Sequence, residues 1–125
     1  MEILLVEDNV LNQKVVTFNL RKQNYNVTTV SNGQDAINKI KNNSFDLVLM
    51  DIMLPEMDGF EVTAEIRKYE QAGGIEKQIP IVALTANTLD NDRQKCIEAG
   101  MNEYLAKPFT AQELVAVIQK FVQKE

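Results

Sequence analysis

Five residues of types that can do chemistry stand at or just past the ends of short apolar runs. Glu7 and Asp8 follow Ile3–Val6, and Asp51 follows Leu47–Met50. Thr85 closes Ile81–Thr85, and Lys107 follows Tyr104–Ala106. Three carboxylates at the ends of neighbouring strands would repel one another. Two like charges ~4 Å apart cost about 4 kcal/mol at an effective dielectric of about 20. Lys107 offsets part of this, and a hard divalent cation with oxygen ligands would offset the rest. Mg²⁺ suits one or two carboxylates together with waters and a phosphate oxygen. Each residue also has an ordinary reading. An acidic pair after a strand is usually a solvated turn, and an aspartate favours caps and turns. A threonine is a common strand former, and a lysine is a common surface charge. Acid, acid, hydroxyl and amine at several strand ends on one edge are much harder to obtain by chance.

That shared edge depends on the elements that carry these residues. The runs Ile3–Val6, Leu47–Met50 and Ile81–Thr85 are continuously apolar, as in strands of a parallel sheet covered on both faces. Val27–Val30 is more polar and suits an edge strand, and Tyr104–Ala106 is the fifth run. A helix-period segment follows each run. The last is the clearest, with Leu114, Val117, Ile118, Phe121 and Val122 on one stripe and a capping-box start at Thr110 and Glu113. The first helix is predicted to begin near Asn9 and to bury Leu11, Val15 and Phe18. Ala36, Ile37 and Ile40 mark the second, and Val62, Ile66 and Tyr69 the third. The fourth, from about Leu89 to Ala99, is the least amphipathic, with Gly100 as its stop. Gln71–Gln78 reads as a loop, and Pro55 with Asp58-Gly59 as a loop and helix start.

Five strands alternating with five helices imply an α/β fold with right-handed crossovers. Half a barrel would leave its inner face uncovered, so the expectation is a doubly wound, flavodoxin-like (βα)5 open sheet of order 2-1-3-4-5. In such sheets ligands bind beyond the carboxyl ends of the strands, where the strand order reverses.

Composition narrows the function. The 125 residues fit one domain, 1–125. The hydrophobic fraction of 45% and charged fraction of 25% are those of an ordinary globular chain. A net charge of −5 argues against a nucleic-acid surface. No apolar run is long enough to span a membrane, and no basic leader precedes the first run, so the cytoplasm is the simplest compartment. Cys96 is the single cysteine; it reads as an inert core thiol. Met50, Met53 and Met57 read as core filling. The chain has no histidine, so any histidine chemistry must come from a partner.

Four segments carry a family resemblance. They are Ile3-Leu-Leu-Val-Glu7-Asp8-Asn9, Asp46-Leu-Val-Leu-Met-Asp51-Ile-Met-Leu-Pro55-Glu-Met-Asp58-Gly59, Pro80-Ile-Val-Ala-Leu-Thr85-Ala86 and Tyr104-Leu-Ala-Lys107-Pro108. Together they resemble the receiver domains of two-component response regulators, over essentially the whole chain. Asn9–Gln13, Ala83–Asn87 and Gly100-Met-Asn resemble, more narrowly, receivers of hybrid sensor histidine kinases and phosphorelays. The resemblance implies that Asp51 takes a phosphoryl group from a partner's phosphohistidine. It implies that Glu7, Asp8, Asp51 and the Met53 carbonyl hold Mg²⁺, that Lys107 pairs with a phosphoryl oxygen and that Thr85 hydrogen-bonds another. It further implies a cis Lys107–Pro108 bond, and a switch in which Tyr104 turns inward as Thr85 moves. The resemblance also implies that Asn87 and Met53 occupy the two positions that, in that family, tune hydrolysis of the acyl phosphate, and an apolar Met53 then implies slow hydrolysis.

The chemistry agrees with that reading. Phosphoryl transfer is catalysed mainly by positioning and charge stabilisation, and phosphorylation adds nearly two charges that can bias a two-state loop and helix. The expected output face is that of the fourth helix, fifth strand and fifth helix. The implied phosphodonor is a histidine kinase or a histidine phosphotransfer domain, with an output domain or downstream protein as receiver of the signal. Neither nucleic acid nor membrane contact is expected of the domain, and a monomer is the default, with dimerisation on phosphorylation open. Turnover of an independent substrate is not implied; if the chain is cut from a hybrid protein, the parent would be a histidine kinase. A Mg²⁺-dependent phosphatase with an aspartate nucleophile is the alternative, but it would place Asp-x-Asp after the first strand and carry a cap. A degenerate receiver serving only for interaction would lack the acceptor, an acid or the lysine. A nucleotide-binding reading lacks a Gly-rich phosphate loop.

Overall fold

The computed structural model describes residues 1–73, 78–85 and 90–122. Its elements alternate as β1 (Glu2–Val6), α1 (Val10–Arg21), β2 (Asn26–Val30), α2 (Gly33–Asn42), β3 (Leu47–Asp51), α3 (Gly59–Ala72), β4 (Ile81–Thr85), α4 (Asp90–Glu98), β5 (Glu103–Ala106) and α5 (Ala111–Val122). The strands form one parallel sheet in the order β2-β1-β3-β4-β5, as the alternation and run lengths predict. Each strand lies within one residue of the predicted run. The start predicted for α4 near Leu89 lies outside the described residues. The loop predicted over Gln71–Gln78 starts later than expected: Gln71 and Ala72, neither of which breaks a helix, extend α3 to its C-cap at Gly73, and 74–77 lie outside the described residues.

Alternation along the strands divides the core in two. Leu4, Val6, Val48, Met50, Ile81 and Ala83 face one side, where Ala36 and Ile37 of α2, Val62 and Ile66 of α3 and Cys96 of α4 pack on them. Ile3, Leu5, Leu47, Leu49, Val82 and Leu84 face the other, under Val16 and Leu20 of α1 and Leu114, Val117 and Ile118 of α5. The three central strands are buried on both faces, which is why their sequences show no polar alternation.

Helix starts follow local capping chemistry. Asn9 caps α1 by accepting from the Asn12 N–H, and Asn32 caps α2 by accepting from Asp35. Asp58 and Glu61 form a reciprocal capping box at α3, and Thr110 and Glu113 do the same at α5. Gly100, at φ +104°, ends α4 in a left-handed turn that suits glycine.

One expectation for α1 fails. Leu11 is 69% exposed, Val15 52% and Phe18 64%, while the buried residues of the helix are Val16 and Leu20. At about 100° per residue the two sets lie on nearly opposite sides of the helix. The sequence therefore carries two apolar stripes, and the sheet takes the smaller one.

Candidate functional site at the carboxyl edge of the sheet

The acids sit where β1 and β3 end. The N–H of Glu7 donates to the Val30 carbonyl at 3.0 Å, carrying the β1–β2 ladder one residue past the strand. The Glu7 side chain is buried, and its Oε2 accepts from the Asn9 N–H at 3.1 Å and from Asn12 Nδ2 at 3.5 Å. Asp8, the next residue, is exposed. Asp51 is the last residue of β3, opposite Leu84 of β4, and is also buried. Its Oδ1 accepts from the Met53 N–H at 3.1 Å, which turns the chain sharply away from the strand. The start of α3 lies tight against this turn. The Gly59 N–H donates to the Ile52 carbonyl at 2.9 Å, and a Cβ on Gly59 would come 2.7 Å from the Asp51 carbonyl oxygen. Only glycine permits that approach.

Lys107 completes the cluster from the far side. The Lys107–Pro108 peptide is cis, and the Lys107 N–H donates to the Thr85 carbonyl at 2.7 Å. Its Nζ lies 3.3 Å from Glu7 Oε1 and 3.6 Å from Asp51 Oδ1. One carboxylate oxygen each from Glu7, Asp8 and Asp51 lie within 4.8 Å of one another. Thr85, buried, closes β4 one residue past the partner of Asp51.

This arrangement leaves a charge imbalance. Burial, and then the nearby Glu7 carboxylate, push the Asp51 pKa from 3.8 up to about 6, although Lys107 and the Met53 N–H pull it back. One ammonium faces three carboxylates. The donors are all oxygen, one is exposed to bulk water and two are anchored, which is the donor set a hard divalent cation takes. The residues fit Mg²⁺.

With this geometry in hand, the comparison with known families is decisive: the family model for the response regulator receiver domain matches residues 3–119. The chain belongs to that family. Among curated proteins, the receiver is 44% identical over 122 residues to hybrid signal transduction histidine kinase M of Dictyostelium discoideum, covering 96% of this chain and 5% of that protein. It is 38% identical over 119 residues to the sensor protein GacS of Pseudomonas syringae, covering 95% of this chain and 13% of that protein. The receiver thus spans only a small part of these relatives. Among solved structures, the receiver domain of the sensor histidine kinase PA1611 of Pseudomonas aeruginosa superposes with a TM-score of 0.87 at 46% identity, covering 98% of each chain. That structure has a magnesium ion coordinated in its active-site cleft. The receiver domain of Ssk1 from Saccharomyces cerevisiae, in complex with the histidine phosphotransfer protein Ypd1, superposes with a TM-score of 0.92 at 35% identity, covering 97% of this chain and 88% of that one.

Of the residues singled out in the sequence, Glu7, Asp8, Asp51 and Lys107 meet in this receiver's cluster, and Thr85 closes the adjoining strand. Tyr104 lies half-buried on β5 against the α2/α3/α4 core layer. Met53 departs from its predicted role as core filling: its side chain is 73% exposed, because the turn at Asp51 carries it out of the sheet. Met50 is fully buried as predicted. Asn87 lies outside the described residues. The sequence reading passed over Gly59 as a contact to the Asp51 backbone and gave Asn12 and Gln13 no role. The signal for Gly59 was present, because a glycine directly after a helix cap invites the question of what approaches it.

Proposed function

We propose that the receiver takes a phosphoryl group from a partner's phosphohistidine onto Asp51. The observation that carries this reading is the buried Asp51 carboxylate flanked by Lys107, Glu7 and Asp8 at the end of β3. A carboxylate oxygen of Asp51 attacks phosphorus, the bond from phosphorus to the imidazole nitrogen breaks, and the histidine leaves with its electron pair. Lys107 Nζ stands beside Asp51 Oδ1 and pairs with the incoming phosphoryl oxygens. Thr85 offers its hydroxyl from the next strand end. Glu7, Asp8, Asp51 and the carbonyl of Met53 would hold Mg²⁺. When bound, the ion neutralises negative charge gathering on the transferring group. Asp51 must be ionised to act; Lys107 already pulls its raised pKa down, and a bound cation would pull it further in the same direction.

The absence of histidine from the chain means that the donor is another protein or another part of a longer one. We assign its docking surface to the exposed stripe of α1. Leu11, Val15 and Phe18 are exposed along it, and Val15 also lines a groove of about 410 Å³ with Asn12, Val16, Lys107, Pro108 and Phe109. A partner seated there lies next to Lys107 and hence to Asp51. The Ypd1 complex formed by a similar receiver supports a histidine phosphotransfer domain as the occupant. After transfer, Thr85 and Tyr104 would re-seat toward the phosphoryl group, altering the face of α4, β5 and α5.

The test is intact-protein mass after incubation with acetyl phosphate, with and without Mg²⁺, for the native chain and for Asp51→Asn. We expect a Mg²⁺-dependent gain of one phosphoryl group that Asp51→Asn lacks. No gain by the native chain, with its fold intact, would point instead to a phosphorylation-independent interaction module.

A further inference from the structure

The first turn of α1 contains a device that the reading above leaves unused. Gln13 Nε2 donates to the backbone carbonyl of Glu7 at 2.6 Å and reaches Ser31 Oγ at 3.3 Å. Asn12 Nδ2 reaches Glu7 Oε2 at 3.5 Å, while the Asn12 N–H is held by the Asn9 side chain. The Asn9 N–H supplies a further bond to Glu7 Oε2. Glu7 is therefore fixed at several points. Its N–H is tied to β2, its carbonyl to Gln13, its Oε2 to the start of α1, and its Oε1 faces Lys107. The side chain of Gln13 stands in for a strand neighbour where the ladder has run out, and its contact with Ser31 joins the loop after β1 to the loop after β2.

We propose that Gln13, with Asn12, is a positioning residue for the cation site: it touches neither phosphorus nor Asp51, but holds Glu7 and the following Asp8 in place to bind Mg²⁺. The inference rests on the reading that these acids bind that ion. Two consequences of physical chemistry support it. A buried carboxylate that already accepts two hydrogen bonds on one oxygen is turned so that the other faces the cluster. In addition, a carbonyl fixed one residue before Asp8 limits where the Asp8 carboxylate can go. Groups of this kind, which orient ligands without being ligands, alter metal affinity by roughly tenfold or more when removed.

The test uses Gln13→Met, which keeps the length and apolar bulk of the side chain and removes the donor. Asn12→Ala, at an exposed position, serves as a second variant that the fold will tolerate. Mg²⁺ alone is titrated into each 125-residue chain and binding is followed by amide chemical shifts. Labelling by acetyl phosphate is then measured as a function of Mg²⁺ concentration. We expect Gln13→Met to weaken Mg²⁺ binding roughly tenfold, to move the Mg²⁺ midpoint of labelling by the same factor, and to recover labelling at high Mg²⁺. Asn12→Ala should give a smaller shift in the same direction, because its bond is the longer. Native-like Mg²⁺ affinity in both variants would overturn the proposal while leaving the cation site standing. Labelling lost in Gln13→Met and not recovered by excess Mg²⁺ would overturn it in favour of a purely structural role. A native chain that binds no Mg²⁺ would overturn both this proposal and the reading beneath it.

Discussion

At the scale of single residues, Asp51 is under electrostatic stress that the proposed phosphoacceptor role would explain. Its carboxylate is buried beside that of Glu7, and its pKa rises from 3.8 to about 6. The folded chain therefore holds a proton on Asp51 that the unfolded chain has already lost between about pH 4 and 6. Across that window stability falls as pH rises, and above it the penalty is fully present. Asp51→Asn removes the charge but keeps the shape. Without Mg²⁺ the variant should be more stable than the native chain at pH 7.5, by about 1–3 kcal/mol. The gap should shrink toward zero near pH 4 and narrow when Mg²⁺ is added. Thermal unfolding at several pH values checks this, and an equal pH slope in the two chains would count against it. The acid cluster itself was legible in the sequence, because each member sits at the end of an apolar run. The side chains that brace it were less so: a glutamine or asparagine in a first helical turn carries no sign of which backbone carbonyl it will reach.

At the scale of elements, the edge of the sheet opposite the acids has its own polar knot. Arg67 of α3 donates to the carbonyls of Gly100 and Ile79, to the Asn102 side chain and to the Glu70 carboxylate. Glu70 in turn accepts from the Ile79 N–H, and Asn102 from the Ile81 N–H. Arg67 and Glu70 are both buried, so this knot fastens α3 to the starts of β4 and β5 and to the turn that ends α4. Arg67→Met strands a buried carboxylate and two carbonyls, and should cost about 3–5 kcal/mol in urea unfolding. The double variant Arg67→Met with Glu70→Met should lose less than the single, since no lone charge remains. The apolar stripe of α3 was readable as Val62, Ile66 and Tyr69, yet the buried charges at Arg67 and Glu70 were not. Helical periodicity reports apolar residues and is silent about polar ones that go inside in pairs. For α1 the same periodicity offered two stripes, and nothing local says which one the sheet will take. The exposed stripe makes a separate prediction. Leu11→Glu combined with Phe18→Ser should change stability by no more than about 0.5 kcal/mol. Phosphotransfer from a histidine phosphotransfer protein should fall about tenfold, equivalent to about 1.4 kcal/mol. Labelling by acetyl phosphate, which needs no docking, should be unaltered.

At the scale of the whole molecule, the order β2-β1-β3-β4-β5 and the parallel sheet were legible because five short apolar runs alternate with five helical segments. The phase of α1, the turn that exposes Met53 and the knot at Arg67 were settled by tertiary contacts that no single segment encodes. The topology has one more consequence. Each helix carries the chain back from the carboxyl edge, so β1 enters and α5 leaves at the end of the sheet farthest from Asp51. The domain can be strung into a longer polypeptide at either end, or both, without any tether crossing its working face. Fusing a folded protein before Glu2 or after α5 should leave the rate of acetyl phosphate labelling within about twofold of that of the isolated domain, a difference of about 0.4 kcal/mol in barrier. A unit wired this way is portable: it can be moved among hosts of very different size, with its traffic on one side and its moorings on the other.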